Sequence, residues 1–386
     1  MSRRHGGKMA RFLLVFSGVV VLAHVYLYQQ MMLWFQPGEG FQAGLRAGLI
    51  VLAVLVLLVL PLRKWLPHRV LDWVLLADYV WMGFALLLVT CFLAADLVQL
   101  ILHLAGNTPP VRQGWLGKGA LGLAVGLGVY ALWNGQRPVH VRPVTVYLKK
   151  WPAALDGMKL AQLSDIHIGP MLGHEWLQRL VRQVNALHPD LVAITGDLVD
   201  GSVADLAEHV EPLRDLHSRL GTFFVTGNHE YYSGVTEWCA FLQTLGITVL
   251  RNRHVTLTLE NSQFDLAGVD DHASHHFPGE GADLQAALAG RDASRPVILL
   301  AHQPVAMHNA AGMGVDLQLS GHTHGGQLWP FRYLVYLQQP VAHGLFQHEA
   351  DDLQLYVSAG TGFWGPPMRL GTRAEITLLT LRKAIG

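Results

Sequence analysis

Hydropathy splits the chain in two. Over the first third, apolar residues run on with little polar interruption. Beyond about residue 143 they come in short bursts separated by polar and glycine-containing turns. Four apolar stretches, near 11–33, 43–61, 73–102 and 116–134, reach the roughly 20 residues that a helix needs to cross a bilayer. The second is the purest, unbroken from Leu49 to Leu60. The third carries Asp78 and Asp96, whose spacing corresponds to about 27 Å of helix and predicts positions near its two ends. The fourth is glycine-rich, and its Gly122-x-x-x-Gly126 spacing would let another helix approach closely. The first follows Arg3, Arg4, Lys8 and Arg11, as a signal peptide would. It is longer than a usual signal core and no small-x-small cleavage site follows, so it reads as a retained helix.

After Pro138 and Pro143 the periodicity changes. Segments 144–148, 159–163, 191–195, 222–226, 248–250, 255–259, 264–269, 297–301, 317–319, 353–358 and 375–381 read as strands. Apolar positions Trp176, Leu177, Leu180, Val181, Val184 and Leu187 recur at helical spacing, predicting a helix over 174–187. Helices are also predicted over 203–220, with a break at Pro212, over 235–245 and over 284–289. Strands alternating with helices, followed by more strands, predict layered α/β sheets with helices outside. The division is thus a transmembrane region, 1–142, and a layered α/β domain, 143–386.

Charge sharpens that division. Residues 1–142 carry four acidic side chains against twelve Lys and Arg, whereas 143–386 carry 24 against 16. The net −8 of the second part argues against nucleic acid as a partner. Basic residues cluster at the N-terminus, at Arg63, Lys64 and Arg69, and at Arg137, Arg142, Lys149 and Lys150. The loop near 34–42 has none, and the loop near 103–115 has only Arg112. With four spans, all basic segments fall on one side. A multi-pass membrane protein is therefore expected, with its second domain cytoplasmic. If the fourth stretch does not span, that domain lies outside. Two cysteines, Cys91 and Cys239, imply no disulfide framework.

Five motifs carry the candidate chemistry, each directly after a predicted strand. Leu163-Ser164-Asp165-Ile166-His167 sets a carboxylate and an imidazole two residues apart, on one side of an extended segment. In Ile194-Thr195-Gly196-Asp197 a glycine turn precedes a carboxylate able to bridge two metals. Val225-Thr226-Gly227-Asn228-His229-Glu230 offers an amide oxygen from Asn228. The adjacent His229 is expected to face substrate and to protonate a leaving alkoxide as general acid. His302 ends the strand Leu299-Leu300-Ala301. Gly321-His322-Thr323-His324-Gly325-Gly326-Gln327 repeats the two-apart spacing. Taken singly, Asp197 could cap a turn, His302 could be a core histidine and Asn228 could occupy a left-handed turn. Five such motifs in order point instead to two divalent cations. Asp, His and Asn without Cys suit Mn, Fe, Zn or Mg.

In this order the motifs resemble those of the calcineurin-like metallophosphoesterases over roughly residues 158–381. The resemblance implies a four-layer α/β/β/α sandwich. It implies one metal held by Asp165, His167, Asp197 and His324, a second held by Asp197, Asn228, His302 and His322, and His229 as the catalytic histidine. Gly268-Val269-Asp270-Asp271 and the extended His322 motif are similar to a branch of bacterial membrane-associated phosphoesterases. Some members of that branch cleave the pyrophosphate of a UDP-linked acylated glucosamine. The expected partners are accordingly the lipid bilayer and a phosphorylated or nucleotide-linked lipid substrate. The protein Ser/Thr phosphatases of the superfamily carry Arg after Gly-Asp-x-x-Asp, whereas here Gly201 follows Asp200, which speaks against a protein substrate. Trp329, Phe331, Tyr333, Phe363 and Trp364 lie beyond the metal motifs, where they could wall an acyl chain, touch a membrane or simply pack. Arg251, Arg253 and Arg369 are phosphate-contact candidates, with surface solvation the weightier reading.

Overall fold

The computed structural model describes residues 3–62, 68–106 and 114–384. Arg63, Lys64 and Arg112, used above for orientation, lie outside them. The chain forms two compact units. One runs to Gln136 and includes Gly365–Met368; the other holds Arg137–Trp364 and the chain from Arg369 onward.

The first unit is built on four helices, α1 (Arg3–Phe35), α2 (Glu39–Leu62), α3 (His68–Leu104) and α4 (Gly114–Gly135). Each contains a stretch long and apolar enough to cross a membrane. All four outrun their apolar stretches, because helical hydrogen bonding does not stop where hydropathy does. The close approaches use other glycines than the spacing predicts. A Cβ at Gly117 would come within 2.4 Å of Trp34, and one at Gly128 within 2.2 Å of Phe84, while Gly122 and Gly126 face open space. Asp78 and Asp96 are likewise inside α3 rather than at its ends, since α3 spans 37 residues. Asp96 accepts from Tyr26 Oη and Gln30 Nε2 at 2.8 and 2.7 Å. Asp78 is 1% exposed, and neither of its oxygens meets a donor among the described residues.

In the second unit the elements follow in order as β1 (His140–Leu148), β2 (Met158–Leu163), α5 (His174–Asn185), β3 (Leu191–Thr195), α6 (Val203–Val210) and β4 (Thr222–Val225). Then come α7 (Asn228–Ser233), α8 (Val235–Thr244), β5 (Thr248–Val249), β6 (Arg253–Leu259), β7 (Ser262–Gly268), α9 (Leu284–Leu288), β8 (Val297–Leu300) and α10 (Met307–Ala310). The chain ends with β9 (Leu317–Ser320), α11 (Arg332–Val335), β10 (Gly344–Gln347), β11 (Gln354–Val357) and β12 (Glu375–Lys383). They form two six-stranded sheets, ordered β1-β12-β2-β3-β4-β5 and β10-β11-β9-β8-β7-β6.

Burial in β3 explains the layering. Val192 and Ile194 join the core under α5, α6 and α8, while Leu191 and Ala193 join the core between the sheets. In β8, Ile298 and Leu300 face that same inter-sheet core, while Val297 and Leu299 pack with Ala287 of α9 and Met307 of α10. A strand buried on both faces needs an unbroken apolar run, and these two have one. The result is the expected helix/sheet/sheet/helix sandwich.

Local departures have local causes. The helix predicted over 203–220 ends at Val210 and continues only as a 3₁₀ turn, Glu211–Asp215, because Pro212 cannot donate the next helical hydrogen bond. The short edge strand β10 was not predicted, since its residues show no buried alternation.

Trp151 anchors the inter-sheet core. Its ring lies 5.3 Å from that of Phe264, and its Nε1 donates to the Leu155 carbonyl at 2.9 Å. Trp151→Ala is expected to destabilise the sandwich by about 3–5 kcal/mol, measurable as a lowered urea midpoint of the detergent-solubilised chain.

Candidate metal centre

Strands β2, β3 and β4 are parallel neighbours, as are β7, β8 and β9. The loops after β2, β3, β4, β8 and β9 therefore open at the C-terminal ends of the strands, where α/β sheets place ligand sites. These loops are not extended as the two-apart spacing supposes. Asp165, His167, Asp197, His322 and His324 all take left-handed φ, from 50° to 70°. Asp and His tolerate this region better than most side chains, at a cost of about 1 kcal/mol each. The left-handed turns, rather than a pleat, aim the paired side chains the same way. Asn228 and His229 begin helix α7 instead of ending a strand.

The predicted ligands converge. Ligand atoms of Asp165, His167 and His324 lie within 4.8 Å of one another, as do those of Asp197, His302 and His322. Asp197 Oδ2 stands 3.2 Å from His302 Nε2 and 3.9 Å from His167 Nε2, between the two groups. His167 and His324 bring their Nε2 atoms to 3.1 Å, and His322 Nδ1 is 3.3 Å from His302 Nε2. His302 Nδ1 donates to the Thr195 carbonyl at 2.8 Å, which leaves the direction of Nε2 fixed. Asn228 Oδ1 is buried and meets no donor among the described residues.

His229 belongs to the same cluster, its ring edge-on to His167 at 4.6 Å. Its Nδ1 is 2.6 Å from Asp200 Oδ1, and its backbone N–H donates to Asp197 Oδ1 at 2.9 Å. Asp200 Oδ1 also meets His167 Nδ1 at 2.9 Å. Tyr232 and Trp364, both exposed, flank His229 with ring centroids 5.6 and 6.0 Å away.

The charges are strongly polarised. Burial alone would raise Asp197, but His302 and His229 outweigh it and hold its carboxyl well below the usual range. Burial opposes charge on His229 too, yet Asp197 and Asp200 push it up to about 9. Burial and the charge on His302 drive His322 down to about 3, so its lone pairs stay free. Burial likewise takes His324 well below its ordinary value, helped by His167. Buried carboxylates need adjacent positive charge, which bound cations would supply here. Two carboxylates, neutral imidazoles and an unpartnered amide oxygen around shared space fit divalent cations.

A family model described as calcineurin-like phosphoesterase matches residues 158–326. A metallophosphoesterase of Campylobacter jejuni is 34% identical over 380 residues, covering 96% of this chain and 98% of that protein. The chain belongs to the calcineurin-like metallophosphoesterase family. A transmembrane protein with a metallophosphoesterase domain from Danio rerio is 42% identical over 273 residues, 69% of this chain and 62% of that one. The chain thus spans about three fifths of that relative's length. A metallophosphoesterase of Bacillus subtilis is 32% identical over 279 residues, 70% of this chain and 94% of that one.

In this family member Glu230 has a role that motif spacing does not reveal, and the three candidate arginines have structural partners. Glu230 is fully buried, and accepts from the backbone N–H groups of Gly227, Asp197 and Leu198 at 2.6, 3.0 and 2.8 Å. It ties the second and third motif loops together. A Glu three residues after a glycine turn is the available signal, as in a helix capping box. Arg369 is buried, not solvated. Its guanidinium donates to the carbonyls of Ala359 and Gly362 at 2.9 and 2.6 Å, holding the loop after β11. Arg251 is also engaged, with Asp270 at 2.8 Å and with Glu280. Arg253 donates to the Val249 carbonyl.

Glu230→Gln must turn an amide N–H toward at least one backbone N–H. A loss of about 2–3 kcal/mol is expected, read as a lowered urea midpoint, together with weaker Mn²⁺ binding by titration calorimetry. Unchanged values would remove Glu230 from its tying role.

Proposed function

We propose that this chain is a membrane-anchored, dinuclear-metal phosphoesterase that hydrolyses a phosphodiester, pyrophosphate or phosphomonoester of a membrane lipid or lipid precursor. The observation that carries the reading is the convergence of Asp165, His167, Asp197, His302, His322 and His324 from strand ends of both sheets, with Asp197 between two groups. Asp165, His167, Asp197 and His324 would hold one cation, and Asp197, Asn228, His302 and His322 the other. When bound, the two cations supply Lewis acidity that activates water and offsets phosphate charge.

The chain's own residues do the rest. Asp200 engages His229 Nδ1, which fixes the ring and leaves Nε2 to hold the proton. Held charged by Asp197 and Asp200, His229 donates that proton to the departing oxygen as general acid. Tyr232 and Trp364 beside it offer apolar faces to the group attached to the phosphate, which favours a nucleotide-linked or acylated substrate over a bare phosphomonoester. The four membrane-length helices would keep the site near such lipids.

Hydrolysis of a chromogenic phosphodiester should require Mn²⁺ or a similar dication and stop with chelator. Asp197→Ala should lower it by at least about a thousandfold, and retained activity in that variant would overturn the assignment. His229→Asn should cost about 10²–10⁴-fold with an alkyl ester, and much less with a nitrophenyl ester, whose leaving group needs no proton. Equal losses would remove the general-acid role. We infer a bacterial inner membrane with the sandwich cytoplasmic; the clustering of basic residues on one side supports that orientation. Protease added to intact spheroplasts should then leave the sandwich uncut, and digestion would reverse the orientation.

A further inference from the structure

The segment after the His322–His324 motif presents an apolar surface to solvent. Trp329, Phe331, Tyr333, Leu334, Tyr336 and Leu337 are all exposed, Leu337 by 79% and Tyr333 by 63%. Single exposed apolar residues are ordinary, but six within nine positions are a patch. The patch does not come from a loose loop. Backbone hydrogen bonds run from Phe331 to Leu328, Tyr333 to Pro330, Leu334 to Phe331 and Leu337 to Leu334, at 2.7 to 3.1 Å. Its root is fixed as well: a Cβ at Gly326 would come within 2.4 Å of Arg332 Cα, and Trp329 N donates to the Leu370 carbonyl at 3.0 Å. Apolar side chains thus point outward from a backbone whose polar groups are largely satisfied, which is what the edge of a bilayer accepts.

Charge selects the same occupant. Residues 327–347 contain no Asp or Glu, and Arg332 is their single Lys or Arg, within a domain that otherwise carries excess carboxylate. Trp and Tyr are the aromatic residues that settle at headgroup depth, and a half-buried Arg can reach lipid phosphates. The chain also carries four bilayer-length helices, and only residues 136–139 separate α4 from β1.

We propose that residues 329–337 are a membrane-docking element, seated at the headgroup–acyl boundary of a bilayer containing anionic lipid. The element is joined to the wall of the metal centre. Gln327, two residues before it, pairs through its side-chain amide with both the N–H and the carbonyl of Trp364, at 3.1 and 3.0 Å. A docked element therefore opens the rim of the site toward lipid headgroups. That consequence rests on the phosphoesterase reading; the docking itself does not.

The test uses the whole chain reconstituted into vesicles with about one third anionic phosphatidylglycerol. Leu337→Cys carries a fluorophore, the native Cys91 and Cys239 being buried. Ser294→Cys is the control, an exposed position before β8 and so at the sheet edge opposite the site. Quenching by doxyl-labelled lipid should be at least about threefold stronger at 337 than at 294. Equal quenching would overturn the proposal. A label at 337 shielded from aqueous iodide yet untouched by doxyl lipid would also overturn it, placing a protein on the patch. Quenching needs no turnover, so it succeeds or fails independently of hydrolysis. In a second arm, Leu334→Glu with Leu337→Glu should raise KM about tenfold for a vesicle-embedded phosphodiester, while hydrolysis of a soluble one stays unchanged. Equal effects on both substrates would count against docking.

Discussion

A carboxylate sealed from water must be surrounded by groups that neutralise it, and Asp197 imposes that demand on the whole sheet edge. One of its oxygens takes the His229 N–H while the other lies near His302. Its own N–H is held by Glu230. Room for it is made by removing atoms nearby, since a Cβ on Gly227 would come within 2.2 Å of Oδ1. Gly321 has the same relation to Asp165, whose oxygens receive the His322 N–H. The motif glycines thus serve carboxylates buried beside backbone, and the strained backbone at five proposed ligand positions is tolerated because each follows directly on a rigid strand.

The side chains around these groups repeat this logic one step out. Asp200 joins His167 and His229 through one oxygen, so a predicted metal ligand and the predicted proton donor share an orienting partner. Asp271 is buried, with Gln303 and the N–H of Ala273 on its oxygens. Arg369 spends its charge on carbonyls of the loop that passes beside His324. In each case a side chain that could have met solvent instead fixes a side chain or the backbone beside the centre.

What was legible in the sequence follows from this division. The convergence of Asp165, His167, Asp197, His302, His322 and His324 could be read because each follows a strand whose apolar run is unmistakable, and parallel strands bring such ends together. The spans could be read because hydropathy over about 20 residues is a strong signal. The side chains that orient these residues could not be read. Glu230, Asp200 and Arg369 act through backbone groups and partners far along the chain, and no spacing encodes those. The close helix contacts escaped for a related reason. Which glycine faces a neighbour depends on helix rotation, so Gly117 and Gly128 make the approach that Gly122 and Gly126 seemed to offer.

The outer ladder of the first sheet has a consequence for how the protein is made. Strand β1 pairs in parallel with β12 along its full length, from His140↔Glu375 to Leu148↔Lys383. β12 also separates β1 from β2, since it pairs antiparallel with β2 from Gln162↔Thr377 to Met158↔Leu381. During synthesis β1 and β2 therefore emerge long before the strand that belongs between them, with residues 164–374 still to come. Two strands must wait unpaired along those edges, where contacts of such high sequence separation form slowly and invite wrong pairing. The sandwich can close only after the ribosome has delivered β12, so loss of the last dozen residues would leave a gap inside the sheet rather than a shortened edge.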